Sequence, residues 1–379
     1  MPPVLEIADL KQQARRRVPK LFFDYVDSGS YTESTYRANE EDFRAIQFRQ
    51  RVMVDVSSRS QASTMMSEPV SMPVGLAPTG LCGMQRADGE ILAAKAAEAY
   101  GVPYILSTMS ICSIEDVAAH TTKPFWFQLY VMRDRDFVRA LIERARKAKC
   151  SVLVLTVDLA MMGQRHKDRR NGLSAPPRLI PRHLMQMAMR PGWCLNMATT
   201  RRWTFGNIYG HVKEVTDLAT LNDWTMRQHD DSLTWADVAW IKEQWGGPLI
   251  VKGVLDPDDA LAAVDAGADG VIVSNHGGRQ LDGAPSTISA LPAIVSAVGD
   301  RTQVFIDSGI RSGQDVLRAL ALGAKGTFIG RAFLWGLAAR GQPGVTLALD
   351  IIRREMDVTM GLCSRPAIAD IDGSMLMGA

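Results

Sequence analysis

What the chain lacks narrows it first. Its five cysteines, Cys82, Cys112, Cys150, Cys194 and Cys363, lie far apart and form neither a CxxC pair nor a Cys/His ligand pattern, so neither a disulfide scaffold nor a metal site is expected. The opening MPPVLEIADL has neither the basic segment nor the apolar stretch of a signal peptide, and no uninterrupted apolar run reaches bilayer length. A reducing compartment fits, with the chain in the cytoplasm or on a membrane facing it. No GxGxxG follows an early strand, which disfavours a dinucleotide-binding sheet. No RNA- or DNA-binding motif is present either, so no nucleic-acid partner is expected. Net charge is only +2 over 379 residues; with 46% hydrophobic and 22% charged residues the composition is that of an ordinary globular protein, not a disordered one.

What is present is a rhythm. Ile7 to Lys20 reads as an amphipathic, basic helix, and KLFFDYVD, from Lys20 to Asp27, as an apolar stretch holding Tyr25. From Pro73 on, short apolar strands alternate with Ala-rich helices. Asp88 starts a helix that Gly101 ends, Ser113 and Asp116 form a possible capping box, and Asp256-Pro257 opens a helix that Gly267 stops. The strands begin near Pro73, Tyr104, Phe125, Val152, Pro248, Val271, Gln303 and Gly326, eight in all. Eight strands alternating with helices imply an α/β protein with a (β/α)8 barrel over about 73–340, an amino-terminal helical extension, and a long insertion at about 163–232 after strand four. The chain 1–379 then forms one domain. A doubly wound sheet is the runner-up.

The residues after each strand make one convergent polar set. They are Pro78, Thr79 and Gly80; Ser107; Gln128 with Tyr130; Thr156 with Asp158; Lys252; Ser274 with His276 and Arg279; Asp307 to Arg311; and Gly330 with Arg331. A barrel's chemistry sits at the carboxyl ends of its strands, so these positions share a face. The stretch GVIVSNHGGRQLDG, Gly270 to Gly283, dominates it. His276 can take a proton near neutral pH, and Arg279 can hold a carboxylate by two parallel hydrogen bonds. Gly277 and Gly278 permit close approach of a flat ligand or another backbone. Groups after strands seven and eight, with their glycines and arginines, have phosphate-site character.

Taken in order, KLFFDYVDSG, FQLYV, LTVD, VKG, SNHGGRQLDG, IDSGIRSG and FIGRAFL make the chain resemble, over nearly its whole length, the FMN-dependent L-2-hydroxy-acid dehydrogenases and oxidases, including glycolate oxidase, L-lactate dehydrogenase and mandelate dehydrogenase. The resemblance implies that Pro78, Thr79, Gly80, Ser107, Gln128, Thr156, Lys252 and Ser274 line the isoalloxazine and ribityl part of FMN, with Lys252 near its N1 and O2 edge. It implies that Asp307, Ser308, Gly309, Arg311, Gly330 and Arg331 hold the phosphate end. For substrate it implies Arg279 and Arg165 on the carboxylate, Tyr25 and Tyr130 on carboxylate or hydroxyl, His276 as base, and Asp158 paired with the imidazolium. An L-2-hydroxy acid would become a 2-keto acid. Whether His276 takes the α-carbon proton, or the hydroxyl proton as hydride leaves, stays open.

The insertion is the most individual region. Between Gly163 and Lys213 ten Lys or Arg face one acid, Asp168, so the segment is +9 in a chain of +2. Leu179, Ile180, Leu184, Met185, Met187, Met189, Trp193, Leu195, Met197, Trp203 and Phe205 lie between the charges. Cations plus apolar side chains are what an interfacial segment on an anionic membrane needs, at the cytoplasmic face here; a solvated lid over the site is the alternative. No room for a haem domain precedes the barrel, and the membrane-like segment favours a quinone or other acceptor over O2. APTG, LSTMS, WFQLYV, GGRQLDG and GRAFLWGLA are nearer the bacterial L-lactate and mandelate dehydrogenases than glycolate oxidase. L-lactate is the first expectation, with (S)-mandelate or another aryl 2-hydroxy acid, an O2-using oxidase, and a catalytically dead flavin-binding barrel as alternatives; Gly80, Met109 and Met161 fall where substrate size is set. A homotetramer is implied by resemblance.

Overall fold

The structure, a computed structural model, describes residues 3–172, 180–215, 217, 220–221, 224 and 227–378. Arg178 and Leu179 of the insertion therefore lie outside the described residues.

The expected barrel is there. Its strands are β1 (Val74–Leu76), β2 (Ile105–Ser107), β3 (Trp126–Leu129), β4 (Leu153–Thr156), β5 (Leu249–Val254), β6 (Gly270–Val273), β7 (Gln303–Ile306) and β8 (Gly326–Ile329). Each pairs in parallel with its neighbour in sequence, and β8 returns to pair with β1. A bridge between Leu76 and Tyr104, with Leu76 N–H donating to the Pro103 carbonyl at 2.8 Å, closes the ring between β1 and β2. Strand ends differ from the sequence reading by a residue or two.

Alternate side chains fill the interior: Ile105, Trp126, Val154, Ile250, Ile272, Phe305 and Phe328 are buried there, with Trp126 and Phe305 each packed against Phe328 at 5.7 and 5.8 Å between ring centres. A hairpin, Ser63–Met65 with Glu68–Val70, packs Met65 and Met66 against this interior, beside the first residues of β8 and β6. Trp126, which starts β3, donates its indole N–H to Glu68 at 3.1 Å. The hairpin thus plugs the amino-terminal end and leaves chemistry to the other.

The amino-terminal extension is helical as expected, and the apolar stretch that holds Tyr25 is itself a helix, Lys20–Val26, set off from Ile7–Arg17 by Pro19. Ile7, Leu10 and Ala14 bury one face of the first helix. A third helix, Ser34–Ala45, takes its amino-terminal cap from far along the chain: Asp282 accepts from Thr32 and Thr35 N–H groups and from the Thr32 and Ser34 hydroxyls. The Ser113–Asp116 capping box forms as expected. The insertion's helices among the described residues include His166–Arg170, Pro181–Ala188 and Pro191–Met197. No helix among the described residues is long and apolar enough to cross a membrane.

Candidate active site

A cavity of about 1120 Å³ opens at the carboxyl ends of the strands. The residues singled out from sequence line it, apart from Asp158, Gln128 and Ser274, which stand in the layer behind.

His276 is the centre. It follows β6 in a left-handed conformation, φ 57°, the first of three consecutive such residues with Gly277 and Gly278. The two glycines are needed for the main chain and the arginine that press on the turn: a Cβ on Gly278 would meet Tyr36 N at 2.6 Å, and one on Gly277 the Arg331 guanidinium at 2.6 Å. Close backbone approach, one of the two sequence expectations for these glycines, is seen at Gly278. His276 Nδ1 lies 2.9 Å from Asp158 Oδ1 and 3.2 Å from Oδ2. Burial pushes Asp158 up, but the His276 charge, their hydrogen bond and Lys252 outweigh it and hold the carboxyl below its usual range. An ionised Asp158 can only accept, so Nδ1 carries the hydrogen and Nε2 keeps a lone pair. Burial, partly offset by Asp158, keeps the imidazole pKa below its ordinary value and the ring neutral. The arrangement leaves Nε2 able to accept a proton.

Behind it, Lys252 on β5 donates to Ser274 Oγ at 2.9 Å and pairs with Asp307 at 3.2 Å. Burial works against its charge, but Asp307 and Asp158 prevail and raise its pKa. A buried ammonium is thereby fixed on the cavity wall.

Arg279 differs, because among the described residues no salt bridge holds it, although the Asp168 charge lies near enough to favour its own. Its Nη1 donates to the Tyr25 and Ser28 carbonyls, and its guanidinium lies 4.7 Å over the Tyr25 ring. Burial, then the nearby Arg165, pushes it down to about 9. Among the described residues, the Arg165 side chain bonds to the Arg279 carbonyl and Gln280, at 3.4 and 3.5 Å. Two cations side by side, neither in a salt bridge among the described residues, make a site suited to an anion. Tyr25 and Tyr130 line the same space; burial, then the charge of Asp158, raises the Tyr130 pKa, so its hydroxyl stays a donor.

The flavin expected from sequence fits the opposite wall. Gln128 Nε2 and Thr156 Oγ1, on adjacent strands, are buried without hydrogen-bond partners, although Gln128 Oε1 is held by Ser107 Oγ at 3.1 Å and Thr108 N at 3.3 Å. Orphaned polar atoms beside a cavity call for a polar ligand. Ser308, Gly309, Arg311, Gly330 and Arg331 line the far end, where the helix Arg331–Arg340 begins, as a phosphate would require. The Arg331 side chain is already committed: its Nε and Nη2 donate to the Val26 and Ser28 carbonyls at 2.8 Å, leaving its main chain for a phosphate. Arg311 pairs with Glu40 at 3.0 Å yet leaves a buried Nε free of partners.

Several contributors escaped sequence reasoning. Gln280 ties the Asp158 and Met161 carbonyls at 2.9 and 2.8 Å, and carries no charge or nucleophile that would have flagged it. Asp168, held by Ser28 Oγ at 3.3 Å, lines the cavity beside the two arginines; being the lone acid of a basic segment was its signal. Arg165, Trp203 and Phe205, at either end of the insertion, also wall the cavity, so lid and membrane segment are not exclusive readings of 163–213.

The comparisons agree with this geometry. The profile of the FMN-dependent dehydrogenase family matches residues 14–377. An L-lactate dehydrogenase of Caulobacter sp. (strain K31) is 48% identical over 97% of both chains, and one of Caulobacter vibrioides (strain NA1000 / CB15N) is 47% identical over 98% of this chain and 97% of its own. The solved structure of a monotopic membrane protein, (S)-mandelate dehydrogenase, superposes with a TM-score of 0.95 at 34% identity over the whole of both chains. A mandelate oxidase bound to (S)-2-phenylpropionate superposes at 0.83, with 34% identity over 99% of this chain and 98% of its own.

Proposed function

Because the chain belongs to the FMN-dependent dehydrogenase family, we propose that it oxidises L-lactate to the 2-keto acid and delivers the electrons to a quinone at an anionic membrane surface. The observation that carries the reading is the meeting in one cavity of a neutral, Asp158-oriented His276 with the unpaired cations Arg279 and Arg165. FMN, when bound, supplies the two-electron acceptor.

Arg279 and Arg165 bind the substrate carboxylate, which gives them the salt bridge that neither has among the described residues. Tyr25 and Tyr130 add hydroxyl hydrogen bonds that fix the α-carbon and its hydroxyl. His276 Nε2 takes one proton from the substrate, and Asp158, a positioning residue, stabilises the imidazolium so formed. Lys252 presents positive charge where the flavin's N1 and O2 edge would gain negative charge on reduction. Pro78, Thr79, Gly80, Ser107, Gln128, Thr156 and Ser274 hold the ring and ribityl chain, with Asp307 to Arg311, Gly330 and Arg331 at the phosphate.

Lactate is preferred to mandelate because the L-lactate dehydrogenase relatives are the more similar in sequence. Adsorption to membrane is supported by the insertion's charge and by its exposed Ile180, Leu184, Met185, Met189 and Leu195. By resemblance the assembly is a homotetramer and the whole chain one catalytic domain. The test is anaerobic: the yellow holoprotein bleaches on adding L-lactate, and more slowly with (S)-mandelate. A flavin that no 2-hydroxy acid bleaches makes the barrel a binding module, and faster bleaching by mandelate transfers the substrate to the aryl class.

A further inference from the structure

A second cavity, of about 330 Å³, lies against the outside of the barrel and shares no lining residue with the first. It forms where the first helix ends, where the short helix Cys82–Gln85 ends, and where the insertion's helix Pro191–Met197 begins. Arg16, Arg17, Arg86 and Arg190 line it together with Trp193, and no acidic residue does. Four cations therefore share a space about the size of a small ligand.

Their lack of carboxylate partners contrasts with another arginine of the insertion. Arg202, twelve residues from Arg190 in the same insertion, pairs with Asp88 at 2.9 Å and Asp116 at 2.7 Å. Among the described residues none of the four pocket arginines pairs with a carboxylate: Arg17 donates to the Ala339 carbonyl, Arg190 Nη1 to the Met189 carbonyl at 3.1 Å, and Arg16 and Arg86 to nothing. The Nε atoms of both Arg86 and Arg190 are buried with no acceptor. Burial, and then the charge of Arg17, holds Arg86 below its ordinary pKa, as expected of a guanidinium whose neighbour repels it. A stable fold leaves such groups in place where an anion completes them.

We infer that this pocket binds a phosphate group, presented by a glycerophospholipid headgroup or as free phosphate. Phosphate suits the pocket better than a carboxylate because it offers more acceptor oxygens and up to two charges to several guanidinium forks. Trp193 on the wall, and the exposed Met185, Met189 and Leu195 on the two flanking helices, supply apolar surface beside the charge. The site needs neither the flavin chemistry nor adsorption to a bilayer, so its test is independent of both.

The test is a phosphorus NMR titration of the flavin-loaded protein at low salt, with inorganic phosphate in one arm and dihexanoyl phosphatidylglycerol below its micelle concentration in the other. The wild type binds at least one probe saturably. Arg86→Gln with Arg190→Gln weakens it about tenfold or more, whereas Arg182→Gln with Arg201→Gln, the same loss of charge at exposed positions outside the pocket, changes it by less than about twofold. Binding of the inorganic probe assigns the source as free phosphate; binding of the lipid alone assigns the headgroup. Should the first variant not fold, Arg16→Gln, exposed in the last turn of its helix, replaces it with a loss of about threefold. No saturable binding of either probe, an equal loss in the pocket variant and the exposed pair, or an unaffected pocket variant overturns the proposal.

Discussion

At the carboxyl ends of β4 to β7, Asp158, His276, Lys252, Ser274 and Asp307 form a connected network in which Lys252 meets the opposite charge of Asp307 at 3.2 Å and Asp158 accepts from the His276 ring at 2.9 Å. In the insertion, Arg170, Arg182, Arg201 and Lys213 stand exposed without a carboxylate partner among the described residues, amid large apolar side chains that also face outward. Half of the large exposed apolar side chains among the described residues, nine of eighteen, fall between Met161 and Tyr209. The difference separates two uses of charge. In the network, position matters to fractions of an ångström, and one lost partner leaves a buried ion uncompensated. On the insertion only the sum matters, since each exposed cation acts through solvent and is screened by salt. Arg279 and Arg165 stand between the regimes: positioned like the first group, unpaired like the second, and so committed to an anion from outside.

Substitutions test this contrast by size of effect. His276→Gln removes the base while leaving the phosphate end untouched. Flavin reduction followed by stopped flow should fall about 10⁴-fold with FMN still bound; retention of the wild-type rate would remove His276 from the chemistry.

Asp158→Asn should cost about 10³-fold, because the amide cannot enforce the tautomer that leaves Nε2 free. Its pH signature separates orientation from mere loss of fold. The base must be neutral, so the reduction rate rises with pH through the His276 pKa, which burial already places below the ordinary imidazole value. Asp158 raises that pKa; without it the rising limb moves to still lower pH while the plateau drops. A limb that stays in place, or moves upward, contradicts the pairing.

Arg279→Lys should lower kcat/KM about 10²-fold, since a compact ammonium reproduces neither the planar fork nor the tie to the Tyr25 carbonyl. An unchanged kcat/KM would mean the substrate carboxylate binds elsewhere.

The sequence shows best what is local. The eight strands are runs such as Val271-Ile272-Val273 whose hydrophobicity survives without context, and a barrel fixes which end of each carries chemistry, so His276, Asp158, Lys252 and Arg279 could be brought together from strand order alone. What stayed hidden depends on distant or atypical backbone. The hairpin at 63–70 turns on Met66 and Ser67, at φ 48° and 64°, without the Gly or Asn that normally marks such a turn. The motif places Arg331 at the phosphate end, but it does not show that the guanidinium is held by the Val26 and Ser28 carbonyls, some three hundred residues away. Asn39 and Asn275, which bond to each other at 2.9 and 2.7 Å, and Asp282 at the cap of the third helix are likewise pairings that no periodicity displays. The insertion's charge was visible in sequence. That its Arg202 is neutralised by Asp88 and Asp116 was not, because both acids belong to the barrel.

The insertion itself should give the smallest effect on chemistry. Replacing Arg170, Arg182, Arg201 and Lys213 by Gln removes four exposed cations without touching a residue that lines either cavity. Each cation near an anionic surface contributes on the order of 1 kcal/mol at low salt and less as salt rises. Partition onto phosphatidylglycerol vesicles should therefore fall about tenfold at moderate salt, while the apolar Ile180, Leu184, Met185 and Leu195 remain to hold a residual fraction. Anaerobic flavin reduction by L-lactate should stay within about twofold of wild type, because the buried network and its tautomer are unchanged. Reduction of a membrane quinone should fall with partition, and that of a soluble dye should not. A variant that keeps full partition shows that apolar contact alone holds the protein to the bilayer. One that loses flavin reduction as well shows that the insertion, whose Arg165, Trp203 and Phe205 wall the cavity, shapes the active site as a lid.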